Sequence, residues 1–99
     1  MDPFFKLSDK GRMERRNEKL VAAFAQVLRR RRKQAGLSQE ELAYRAGVST
    51  SYMSLLETRN RQPSLIVIDA ISRELGTSMS DLLGEVEQTA SQHTQGSQS

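Results

Sequence analysis

Apolar residues recur along the chain at helical spacing. Leu20, Phe24, Leu28 and Ala35, with Val21 and Val27 alongside, predict a first helix from about Asn17 to Ala35, stopped by Gly36. Leu65, Ile68, Ile71 and Leu75 predict another, capped by Ser64 and ended by Gly76. A last helix is expected after Ser78, with Asp81 completing a capping box and Met79, Leu82, Leu83 and Val86 on one face.

Between these stripes lies the most informative stretch, residues 37–57, LSQEELAYRAGVSTSYMSLLE. Ser38 and Glu41 have the spacing of a capping box, in which the serine oxygen accepts from the third helical N–H and the glutamate reaches back. A helix should start at Gln39 and stop at Gly47, which can take the left-handed conformation without a Cβ penalty. Ser49 caps the next helix, where Met53 and Leu56 face one way and Ser51, Ser54, Leu55 and Thr58 the other. Two short helices joined by so tight a turn need a small residue where their axes approach, and Ala43 supplies it. This is the geometry of a helix-turn-helix.

Residues 24–83 resemble the lambda-repressor-like domain of the xenobiotic-response-element (XRE) family of bacterial and phage regulators. The marks are the Arg32–Leu37 run ending in GL, the SQEELA after it, Gly47-Val48-Ser49, Leu56-Glu57, Pro63-Ser64 and LGTSMSDLL. Their order and spacing together are specific. The resemblance implies an all-α domain of five helices, with helices 2 and 3 as the helix-turn-helix, and sequence-specific binding of double-stranded DNA by a transcriptional regulator, most often a repressor. Carried over by position, Thr50, Ser51, Ser54 and Leu55 would face base edges in the major groove. Gln39, Tyr52, Arg59 and Arg61 would contact the DNA backbone, and Arg32 would pair with Glu57. One position departs from the family, which usually has glycine where this chain has Arg59; Asn60 is then the expected left-handed residue of that turn.

Charge agrees with a polyanion partner. Residues 1–33 hold 11 of the 15 basic groups and 4 of the 12 acidic ones, a net of +7, against −4 for residues 34–99. The run Arg29–Lys33 suits the negative end of a helix dipole as well as it suits phosphate, and five consecutive side chains cannot all face one surface. Residues 1–16, with Phe4, Phe5 and Leu7 as their only apolar cluster, read as a basic arm. Residues 17–87 read as the domain. Residues 88–99 read as a mobile polar tail, which has no cation to offer a phosphate. Ninety-nine residues leave no room for a separate sensor domain.

Enzyme chemistry finds no support. The single histidine, His93, stands in the expected tail; Glu40 and Glu41 project about 100° apart on a helix and cannot clamp one metal; cysteine is absent. No cofactor or metal is expected. The apolar runs are too short to span a bilayer, so a cytoplasmic, nucleoid-associated protein is expected. A domain this small gains affinity and site length by pairing, so a homodimer joined through Met79, Leu82, Leu83 and Val86 is expected, the alternative being that all four pack internally. An antitoxin or coactivator, binding a protein through the same fold, is one rival function, and RNA binding a weaker one, since no aromatic stacking platform is visible.

Overall fold

The structure, a computed structural model, describes the backbone of residues 7–96 and the side chains of residues 15–92. Among these residues the chain forms five helices and no strand: α1 (Leu7–Gln34), α2 (Gln39–Ala46), α3 (Thr50–Glu57), α4 (Leu65–Glu74) and α5 (Met79–Gly96). Residues 1–6 of the expected arm and 97–99 of the expected tail lie outside the described residues.

Serine starts four of the helices. Ser38, Ser49, Ser64 and Ser78 accept from the N–H groups of Glu41, Tyr52, Val67 and Asp81 at 2.9–3.2 Å, satisfying one of the donors that every helix N-terminus leaves unpaired. At Ser38 only the serine half of the capping box forms. The Glu41 carboxylate instead lies 3.7 Å from Arg45, one turn along α2.

Helix ends share a second device. After α2, Gly47 turns left-handed at φ 78°, and the Val48 N–H returns to the Ala43 carbonyl at 2.9 Å. The same return bond closes α1 at Leu37 to Arg32 and α4 at Thr77 to Ser72. It also closes α3, from Asn60 N–H to the Leu55 carbonyl at 3.1 Å, but there the left-handed residue is Arg59, at φ 71°. Asn60 was the expected residue. The motif requires the residue immediately after the C-cap Thr58 to carry the positive φ, and that position is Arg59.

Ala23, Phe24, Val27 and Leu28 of α1, Leu42 and Ala43 of α2, Met53 and Leu56 of α3, Ile71 of α4, and Leu82 and Val86 of α5 build the core. Ala43 is 1% exposed, as a close approach between α2 and α3 requires. α1 packs most extensively on α5, and α2 on α3.

Both outer helices are longer than their apolar stripes predict. α1 begins at Leu7 rather than Asn17, and among its described side chains, residues 15–34, burial begins only at Ala23. Residues 7–19 hold Lys, Arg, Met, Glu and Leu, no proline and one glycine, a composition whose helix propensity favours extending the element. α5 runs through residues 88–96 of the expected polar tail. Thr89 is buried and Ala90 packs against the core. They continue the Leu82–Val86 face by helical spacing, and two small side chains suffice there.

Candidate nucleic-acid interface

α3 is seated from below and open from above. Met53, Leu56 and Glu57 are buried; Thr50 and Ser51 are exposed; Ser54 and Leu55 are half-buried beside them. The four residues expected to face base edges therefore share the outer side of one helix. Tyr52, expected on the DNA backbone, is half-buried and packs partly against the core. Arg59 and Arg61 are exposed on the loop that follows α3.

Arg32 and Glu57 are brought together. Arg32 Nε donates to Glu57 Oε2 at 2.6 Å and Nη2 to Oε1 at 3.0 Å, while Nη1 donates to the Leu37 carbonyl at 2.8 Å. Each residue is 9% exposed. The fork geometry gives two parallel charge-assisted bonds and ties the end of α3 to the end of α1. Burial pushes the Glu57 carboxyl up, but hydrogen bonds from Arg32 and Gln39, with the charges of Arg32 and Arg29, outweigh it and hold the group below its ordinary value.

Gln39, expected at a phosphate, also has a partner within the domain. Its Nε2 donates to Glu57 Oε1 at 2.9 Å, so the side chain joins the first turn of α2 to the last of α3. The N–H groups at the start of α2 remain the local anion donors.

The basic run of α1 is divided by the fold. Arg30 donates to Glu85 Oε1 at 2.9 Å and Arg31 to Glu85 Oε2, joining α1 to α5. The hydrogen bond from Arg31, against a smaller effect of burial and aided by Arg30, holds the Glu85 carboxyl below its ordinary value. Sequence reasoning missed Glu85. It lies 54 and 55 positions from its partners and carries no motif.

The expected dimer stripe also divides. Leu82 and Val86 are 0% and 3% exposed and belong to the domain's own core, so they are corrected from interface to core residues. Two adjacent turns of α5 facing α1 leave them no solvent side. Met79 and Leu83 stay half-exposed. Leu83 lines an apolar groove of ≈ 710 Å³ with Leu20, Val21 and Pro63.

Among the described residues no group of histidine, cysteine or carboxylate side chains could hold a metal, and no helix is long and apolar enough to cross a membrane.

An all-α domain in which a short helix, braced by its predecessor through a glycine turn, presents small polar side chains is a helix-turn-helix domain. Comparison with known proteins agrees. A family model described as "Helix-turn-helix domain" matches residues 23–83. The HTH-type transcriptional regulator y4dJ of Sinorhizobium fredii is 37% identical over 60 residues, 61% of this chain and 78% of that protein. SinR of Bacillus licheniformis, also an HTH-type transcriptional regulator, is 41% identical over 66 residues, 65% of this chain and 59% of SinR. The crystal structure of the clp gene regulator ClgR from Corynebacterium glutamicum superposes with a TM-score of 0.75 at 28% identity, covering 80% of this chain and 84% of that one. The chain belongs to the XRE-type helix-turn-helix family of DNA-binding transcriptional regulators.

Proposed function

We propose that the protein is a repressor or autoregulator that reads its operator with α3 and binds as a homodimer within the cytoplasm. The observation that carries this reading is the two-sidedness of α3. Met53, Leu56 and Glu57 anchor it, and Thr50, Ser51, Ser54 and Leu55 are left on the outer side. Small polar groups let a helix lie deep in the major groove, where each base pair has its own donor and acceptor pattern. Leu55 offers an apolar contact to a thymine methyl. Arg59 and Arg61 stand where the helix ends, suited to phosphates that set register without reading sequence. Arg32, Gln39 and Glu57 lock the angle of α3 to the scaffold. Met79 and Leu83, with the neighbouring Leu20, 43% exposed, are the apolar surface on the α5 side that a partner copy would cover.

A gel-shift titration on duplexes from the gene's own upstream region tests the reading. Ser51→Ala and Leu55→Ala should each relax base preference by about 1–3 kcal/mol, while Arg61→Ala should weaken all sequences alike. An unchanged site preference and affinity in Leu55→Ala would remove α3 from the reading role.

A further inference from the structure

Three members of the basic run of α1 are committed within the domain: Arg30 and Arg31 to Glu85, Arg32 to Glu57. Arg29 and Lys33 are not. Both are exposed, they stand one turn apart on the same side of α1, and neither has a hydrogen bond or ion pair among the described residues. Together with Arg59, and beside the Glu85-bound Arg30, they line an open groove of ≈ 460 Å³ between α1 and the loop after α3, and the small Ala22 and Ala25 leave it room. The one carboxylate in that lining is Glu57, whose two oxygens already accept from Arg32 and Gln39. The groove thus offers a single anion three cations that no carboxylate holds, beside Arg30, which Glu85 does.

Arg59 supplies a second, independent observation. Its φ of 71° is a conformation that strains a residue with a Cβ and costs glycine almost nothing. The backbone carries that strain with a guanidinium at the lip of the groove, and strain of this kind concentrates where a side chain has work to do. Position agrees. The major groove is about 12 Å wide, so a helix lying in it ends beside a row of phosphates, and Arg59 is two residues beyond the end of α3.

We infer that Arg29, Lys33 and Arg59 together hold a backbone phosphate of the bound duplex, so that α1 adds a contact outside the helix-turn-helix itself. This rests on the reading of DNA by α3. It makes α1 a participant in binding and not only a scaffold, and it separates the five basic residues by role: two close α1 on α5, one braces α3, two reach the strand.

Fluorescence anisotropy across a salt series, on a duplex that the wild type prefers, tests it. Arg29→Gln with Lys33→Gln should lower affinity about fivefold near 0.15 M salt and make the salt slope shallower by about 0.9 for each phosphate that is no longer neutralised, with base preference unchanged. Arg59→Gly should lower affinity while raising the thermal midpoint, opposite signs that general unfolding cannot produce. Arg73→Gln, which removes a cation paired with Asp69 away from the groove, should leave the slope alone. If the double variant keeps wild-type affinity and slope while Ser51→Ala still relaxes preference, the inference is overturned and the reading helix stands. A wild type with no duplex preference overturns both. Tight, saturable binding of inorganic phosphate to the free protein, abolished in the double variant, would assign the groove to a free phosphate ligand and overturn its assignment to the strand.

Discussion

Arg59 occupies a place in its turn that glycine fills at the ends of α1, α2 and α4. Replacing it with glycine should relieve about 1–2 kcal/mol of left-handed strain and return about 0.4–1 kcal/mol through a freer unfolded chain. The net should be a gain of roughly 0.5–1 kcal/mol, measurable as a higher urea midpoint with unchanged slope. Glu57 is the opposite case. Its partner Arg32 is 9% exposed, so Glu57→Gln strands a nearly buried guanidinium and should cost about 3 kcal/mol, the low end for a buried pair because its edge still meets water. The same carboxylate makes stability depend on pH. Glu57 and Glu85 are both held below their ordinary value of 4.5. Their contribution is complete above 4.5 and is lost as pH falls through the lower folded-state values, because the unfolded chain takes up protons first. Urea midpoints should therefore decline on acidification below pH 4.5, and the decline should be shallower in Glu57→Gln.

The helices differ in how openly their sequence declares them. Starts at Gln39, Thr50, Leu65 and Met79 were legible because each follows a serine whose oxygen can reach the third N–H, a purely local event. The glycine stops were legible for the same reason. The far ends of α1 and α5 were not, since their limits depend on helix propensity outside the apolar stripe in one case and on two small packed residues in the other. The pairing of Arg30 and Arg31 with Glu85 that joins α1 to α5 was invisible because its partners meet only when the chain has folded. The outer face of α3 was legible as a set of residues, but the commitment of Gln39 to Glu57 was not, because it depends on where two helix ends come to rest. Thr89 and Ala90 allow a direct check on the length of α5. Truncation after Glu87 removes their packing and should cost about 1.5 kcal/mol, at about 0.8 kcal/mol for each buried methyl-sized group. It should leave the salt dependence of DNA binding unchanged, since residues 88–99 contain no lysine or arginine. Thermal denaturation and anisotropy on the same truncated protein separate the two effects.

For the molecule as a unit, size and symmetry argue for pairing. The domain measures 43 × 37 × 22 Å, so two copies side by side can centre their reading helices about 34 Å apart, one turn of DNA. With Leu82 and Val86 spent on the core, the proposed joint would fall to Met79, Leu83 and Leu20. Sedimentation at micromolar protein should show a dimer that Leu83→Asp dissociates without lowering the thermal midpoint, and an operator with inverted half-sites. A monomer both free and on DNA would rule out this arrangement.

The clasp of Arg30 and Arg31 on Glu85 spans more than half of the chain, and its acidic member lies on the helix that the ribosome makes last among the five. While α5 is still in the exit tunnel, two arginines lack their carboxylate and the Phe24 face of α1 lacks its cover from Leu82 and Val86. Contacts between distant segments form late because their loop entropy must be overcome first. The closure of α1 by α5 therefore comes only after nearly the whole domain has been synthesised.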